Sequence, residues 1–312
     1  MDHEPRLRSF ADFVGQQRII DRLVPLIETA KRYDKPLDHM LLSGPPGFGK
    51  ATLAEGVAAE LGGKIRRMSG RTDEFLSDWV PILVGLKTRD VLVVDEIHLI
   101  RKDVEDFLYR AIGEFVVTWE VGRGRGTKEA ELALEHFTLI GVTSRLSALS
   151  TRMRERIGTT FQFQSYDLRA MAVFLVRFAR DLAVAIEPEG AVEIARRSRG
   201  TPLVADRLLR LVRDYAAAHG DSVITGEVAS DGLAFMKVDK LGLDENDRRY
   251  LSTVIDTFGG GPVSLPALAE ALGEYPDAVA DAYEPYLIRL GFLARTSKGR
   301  TVTPAGHKYL RA

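Results

Sequence analysis

Along residues 10–33, FADFVGQQRIIDRLVPLIETAKRY, apolar side chains at Ile19, Leu23, Leu26 and Ile27 recur at the spacing of a helix that buries one face. The pattern then changes. HMLLSGPPGFGK is a short apolar run entering a Gly/Pro turn, which predicts a buried strand leading into a loop, and ATLAEGVAAELG is built from helix formers. DVLVVDEIHLI (90–100) and FTLIGVTSR (137–145) are unbroken apolar runs that end in polar groups. An unbroken run predicts a strand covered on both faces, as in parallel sheets flanked by helices. Strand and helix signals mix up to about residue 164, so the first half of the chain reads as an α/β nucleotide-binding domain. Within it, residues 114–136 carry two alternating stretches around GRGRG, the signature of a β-hairpin.

From about residue 165 the pattern is purely helical: DLRAMAVFLVRFARDLAV, AVEIARRSRG, PLVADRLLRLVRDYAAAHG and TGEVASDGLAFMKV. A helical domain is predicted over 165–238. DKLGLDEND reads as a linker. Residues 239–312 then predict two helices, LPALAEALG and DAVADAYEPYLIRLG, followed by two short strands around TSKGR, the outline of a winged helix.

Composition narrows the class. A chain of 312 residues is long enough for two or three domains. No stretch reaches the ~18 apolar residues of a membrane span. The charged start MDHEPRLRSF reads as no secretion signal. The absence of cysteine excludes disulfides and thiolate metal sites and fits the cytoplasm. With a net charge of −1, any nucleic-acid binding must rest on local basic patches. Arg295, Lys298 and Arg300 form one at the predicted wing, though such a bunch is equally a solvated turn.

GPPGFGKA (44–51) carries the chemistry. Gly44, Gly49 and Lys50 fit G-x-x-x-x-G-K, the loop whose backbone N–H groups cradle phosphates, and it sits between a strand and a helix as that chemistry requires. Ala51 stands where a Ser or Thr hydroxyl is expected. Asp95 and Glu96 close an apolar strand at its C-terminal end, where ligands bind in such sheets.

Taken in order, DFVGQ, LDHMLLSGPPGFGK, DVLVVDEIH, FTLIGVTSR, RRSRGTP, RLLRLVRD, GGPVSL and EPYLIRLGFLARTSKGR resemble the RuvB family nearly end to end. Its members are hexameric AAA+ motors that drive Holliday-junction branch migration. The resemblance implies an AAA+ P-loop NTPase domain with a parallel sheet over 1–164, a helical lid over 165–238 and a DNA-binding winged helix over 239–312. It implies ATP or ADP, with Mg²⁺, held by the loop residues Gly47, Phe48, Gly49 and Lys50 and the helix start at Ala51 and Thr52. Lys50 would reach the β- and γ-phosphates, Asp95 would help hold the metal and Glu96 would activate water. Arg6, Phe13 and Val14 match the adenine pocket, Tyr166 a further nucleotide contact, and Thr143 and Ser144 a polar sensor. Arg156, with Arg154 beside it, matches the arginine finger that reaches a neighbouring subunit's γ-phosphate. The 114–136 hairpin would dock a RuvA-like adaptor through Val117, Trp119 and Val121. Arg295, Lys298 and Arg300 would contact double-stranded or junction DNA.

The chain departs from that pattern at four positions. Ala51 removes a metal-ligating hydroxyl, and Thr52, ~100° further round the helix, points elsewhere. Leu203 replaces the arginine of the lid's GTPR, with Arg207 one helical turn on. Gly113 stands where the family often has an acid, and Pro276 where some members place a DNA-contacting arginine. Two readings follow: an ATP-driven junction motor with weakened hydrolysis, or a derived module that holds nucleotide and binds DNA or a partner with little turnover. A third, another AAA+ machine, is opposed by the winged helix.

Overall fold

The computed structural model describes residues 10–71, 75–121 and 128–311, apart from the side chains of 11, 119–121 and 128–130. These residues form two units. One runs up to Phe174 and includes Thr201–Leu203; the other comprises Leu175–Gly200 and the chain from Val204 on.

In the first unit, β1 (Met40–Ser43), β2 (Ile65–Ser69), β3 (Val91–Asp95), β6 (Thr138–Thr143) and β7 (Thr159–Gln162) make one sheet in the order β2-β3-β6-β1-β7. All its pairings are parallel. The sheet is buried on both faces, as the unbroken apolar runs predict. Leu92 and Val94 of β3 enter one core with Leu41, Leu108, Phe137 and Leu139, while Val91 and Val93 enter the other with Leu23, Leu53, Val57 and Phe161. Helices α1 (Gln17–Arg32), α2 (Lys50–Leu61), α3 (Leu76–Val84), α4 (Lys102–Glu114) and α5 (Thr151–Ile157) cover it. Register brings Ser43 beside Thr143, and Ser69 beside Asp95. The C-terminal strand ends therefore share one edge, where parallel α/β sheets bind ligands. The predicted hairpin is β4 (Val116–Val121) paired antiparallel with β5 (Lys128–Ala133).

The second unit takes the last part of α6 (Leu168–Asp181), then α7 (Pro188–Arg197), most of α8 (Pro202–His219) and α9 (Gly226–Phe235). The helices α10 (Glu245–Ser252), α11 (Leu265–Leu272), α12 (Pro276–Ala282) and α13 (Glu284–Arg289) follow. Strands β8 (Leu293–Thr296) and β9 (Gly299–Val302) form the wing, and α14 (Pro304–Arg311) closes it.

Three features differ from the sequence expectation. DKLGLDEND is an ordered turn over 239–244 whose last three residues open α10: Asp239 Oδ1 accepts from the amides of Leu241 and Leu243, both at 2.8 Å, and Leu243 is fully buried. The run DAVADAYEPYLIRLG is two helices, because Pro285 has no amide to continue a ladder and fits only a first helical turn. Helices α10 and α14 had weak apolar signals; a capping box between Asp244 and Asp247 starts the first.

Candidate active site

The loop after β1 bends back over the start of α2. Lys50 begins that helix, is buried, and donates from Nζ to the carbonyls of Gly44 (2.7 Å) and Pro45 (2.8 Å). Burial lowers its pKa, while the nearby Glu96 and Asp95 carboxylates raise it. The amides that start α2 have no intrahelical partner and add a partial positive charge, so the site attracts phosphate. Gly47 must be glycine: its φ is +77°, and a Cβ there would stand 2.6 Å from Cβ of Leu203. The Leu203 amide donates to the Gly47 carbonyl at 3.2 Å. Position 203 is thus seated on the phosphate loop, with its side chain 60% exposed, so an arginine there would have room to extend.

The acid pair divides its work by exposure. Asp95 ends β3 with its residue exposed, whereas Glu96 is buried with φ +46°, a left-handed conformation that costs a non-glycine residue about 1–3 kcal/mol. Glu96 Oε2 accepts from the Ser144 amide (3.0 Å) and hydroxyl (2.8 Å) and lies 3.2 Å from His98 Nδ1. His98 Nδ1 also meets Thr143 Oγ1 at 2.9 Å. Ser144 therefore holds the carboxylate directly, and Thr143 acts through His98, whose part the sequence reading missed although it follows the acids in DEIH.

Phe13 and Tyr166 flank the loop. A Cβ on Gly49 would lie 3.4 Å from the Phe13 ring and 3.8 Å from the Tyr166 hydroxyl. Tyr166 packs against Gly15, and burial raises its pKa. Gln16, also unforeseen, ties this end of the chain to Gln164 through Nε2→O (2.6 Å) and N→Oε1 (3.1 Å). Val14 is half-buried beside them in sequence; Arg6 lies outside the described residues. Phe48 is 4% exposed and packs into the core, so only its backbone faces the loop. Ala51 and Thr52 are half-buried on the first turn of α2.

Arg156 is exposed on α5, and Arg154 bonds Thr151 Oγ1 at 3.0 Å. The hairpin expectation needs correcting at Val117. That residue is 1% exposed and belongs to the core beside Ile112 and Leu134, so it offers a partner no surface. The side chains of Trp119 and Val121 lie outside the described residues. In the wing, Lys298 is exposed, but Arg295 and Arg300 both turn to Glu284. Its carboxylate is wholly buried and accepts from Arg295 Nε, from Arg300 Nε (2.9 Å) and from the Tyr250 hydroxyl (3.3 Å). Arg300 is thereby a structural ion-pair partner first, and the patch read from sequence has one exposed, uncommitted position at its tip.

A phosphate loop, an acid pair and a polar sensor at one edge of this parallel sheet, followed by a helical segment and a winged helix, define an AAA+ nucleotide-binding ATPase. Family models agree over almost the whole chain: the Holliday junction DNA helicase RuvB P-loop domain matches residues 5–163, the RuvB AAA lid domain 166–239, and the RuvB C-terminal winged helix domain 240–311. The Holliday junction branch migration complex subunit RuvB of Dehalococcoides mccartyi is 46% identical over 310 residues, 99% of this chain and 89% of that protein. Its counterpart from Chloroflexus aurantiacus is 46% identical over 98% of this chain and 87% of that protein. Among solved structures, the Thermotoga maritima RuvB Holliday junction branch migration motor superposes with a TM-score of 0.88 at 39% identity, covering 98% of each chain. A mutant of the same protein reaches a TM-score of 0.90 at 38% identity. The chain belongs to the RuvB family of AAA+ ATPases. Among its described residues no helix is long and apolar enough to cross a membrane.

Proposed function

We propose that this chain is an ATP-driven motor that migrates Holliday junctions in the cytoplasm, working as a homo-oligomeric ring on junction DNA with a RuvA-like adaptor. The observation that carries the reading is Glu96, whose backbone takes a left-handed conformation and whose carboxylate accepts two hydrogen bonds from Ser144. Backbone strain of this kind clusters at working sites; a module that only binds nucleotide does not need a buried, aimed carboxylate.

In this reading the amides of 46–50 hold the phosphates and Lys50 exchanges its carbonyl partners for phosphate oxygens. Phe13, Val14 and Tyr166, with Arg6, would enclose the base. Glu96 orients the attacking water, accepts its proton and returns to Ser144 after turnover. Arg156 of one subunit completes the site of the next. Asp95 would hold Mg²⁺, and the donor set fits: this ion takes one or two carboxylates plus phosphates and several waters, so the oxygen that Ala51 lacks is replaceable by water. When bound, the metal neutralises charge on the β- and γ-phosphates. The wing, through Lys298 and the exposed part of Arg295, would follow the DNA backbone.

Ala51 and Leu203 favour a second reading, a nucleotide-holding module without turnover, since each removes a contact worth ~1.5–3 kcal/mol to metal or γ-phosphate. Phosphate release with junction DNA separates the two. The motor predicts low turnover in the wild type that Glu96→Gln abolishes, a rise with Ala51→Thr, and a further rise with Ala51→Thr/Leu203→Arg. Wild-type turnover indistinguishable from Glu96→Gln overturns the motor in favour of the module.

A further inference from the structure

The guanidinium of Arg156 does not hang free; it rests on α4. Its Cζ lies 4.3 Å from the centroid of the Tyr109 ring. A Cβ built on Gly113, one helical turn further along the same face, would come within 2.4 Å of that Cζ and 2.7 Å of Nε and Nη1. Only a glycine leaves this space. The approach of α5 to α4 is fixed independently: Met153 and Ile157 are buried, Ser150 bonds Glu105, and Arg152 Nη1 donates to Asp106 Oδ1 at 3.0 Å. Arg152 also lies on the Tyr109 ring, with its Cζ at 3.6 Å. The helix backbone is thus clamped by other residues, and the Tyr109 face with the gap at Gly113 sets where the Arg156 guanidinium points.

We propose that Tyr109 and Gly113 form a seat that positions Arg156 for ATP hydrolysis in the neighbouring subunit. The inference rests on the reading of Arg156 as a residue acting in trans. Gly113, which departs from the family's acid, is then the residue that makes the seat possible.

The seat has an unusual mutational signature. Gly113 lies inside α4 at ordinary helical φ, so alanine there raises helix propensity. The atoms its methyl would meet are the far end of a flexible side chain, which moves aside at little expense. Gly113→Ala should therefore keep or raise thermal stability while displacing the guanidinium by about 1 Å, a misplacement that lowers turnover about 10- to 100-fold.

The experiment uses full-length chains carrying Gly113→Ala, Tyr109→Leu, Tyr109→Phe, Arg156→Ala, Lys50→Ala or, as the no-turnover control, Glu96→Gln, each also made with Ala51→Thr. Phosphate release with junction DNA, calorimetric ATP affinity and the thermal midpoint are measured. Gly113→Ala and Tyr109→Leu should lower kcat and leave ATP affinity within about twofold, because each subunit's own phosphate loop is intact. Tyr109→Phe, which keeps the ring face, should retain most of the turnover. In 1:1 mixtures with Lys50→Ala, the seat variants should recover activity, since one chain supplies the phosphate loop and the other a seated arginine; mixtures with Arg156→Ala should not. Wild-type kcat in Gly113→Ala alongside an inactive Arg156→Ala overturns the seat and leaves the trans reading standing. Full turnover in Arg156→Ala, or no Glu96-dependent turnover in either background, overturns the reading beneath it.

Discussion

Replacing Arg300 by alanine should loosen the winged helix before it affects DNA directly. The Glu284 carboxylate has no exposure to water and lives on hydrogen bonds from Arg300, Arg295 and Tyr250. Removing one partner of a buried ion pair typically costs ~3–5 kcal/mol, because the remaining charge is stranded. Here Arg295 stays on Oε2, but its side chain is 48% exposed against 18% for Arg300, so it is the weaker partner. The loss should fall at about 2–3 kcal/mol. Amide exchange in the intact chain reads this locally. Arg300 and Val263 exchange hydrogen bonds at 2.8 and 2.9 Å, and the Val302 amide donates to Gly260 at 2.9 Å. At 1.4 kcal/mol per tenfold, opening in the peptides over 292–303 should speed by about 30- to 150-fold. The pair Glu284→Met/Arg300→Met removes the buried charge together with its partner and should lose less than Arg300→Ala alone. Lys298→Ala should leave exchange unchanged yet weaken duplex binding and reduce the salt slope by about one phosphate's worth. Exchange in Arg300→Ala within twofold of wild type, with DNA binding lost, would refute the reasoning and make Arg300 a phosphate contact.

Other outcomes follow from the first unit. Lys50→Ala should reduce ATP or ADP affinity roughly 10- to 150-fold in a calorimetric titration, the worth of a charge-assisted bond; equal titrations would remove the phosphate-loop assignment. Ser144→Ala takes one of two Ser144 donors from Glu96 and should lower Glu96-dependent turnover about 5- to 10-fold without moving the thermal midpoint, a split that rate and melting measurements test together. His39 accepts from the Leu139 amide at Nδ1 (2.9 Å) and meets the Ile112 carbonyl at Nε2 (3.0 Å), which fixes a neutral tautomer with its proton on Nε2. Burial lowers its pKa from 6.5. The unfolded chain thus takes up a proton below about 6.5 that the folded chain refuses, so stability is full above that pH and falls as acid is added. His39→Gln should flatten the midpoint-versus-pH curve between about pH 6.5 and 5; an unchanged slope would exclude His39 as its source.

Much of this protein is written locally in its chain. The unbroken runs over 91–95 and 138–143 specify buried parallel strands, because each residue must find apolar neighbours on both faces. The glycines and Lys50 of 44–50 specify a phosphate loop, because spacing and flanking strand and helix are properties of a single segment. The wing strands around TSKGR are equally plain. What the tertiary structure decided is partnership across distance. Arg295 and Arg300 read as a basic patch, yet a carboxylate 11 and 16 residues earlier claims both, since a buried charge must be paired wherever its partner lies in the chain. Val117 alternates as a hairpin residue should, but only packing against Ile112 and Leu134 makes it core. Gly113 reads as a missing acid until α5 lays Arg156 over it, 43 residues on, so that the guanidinium occupies the space a Cβ would take. Periodicity reports which face of an element is buried; it carries no record of what that face will meet.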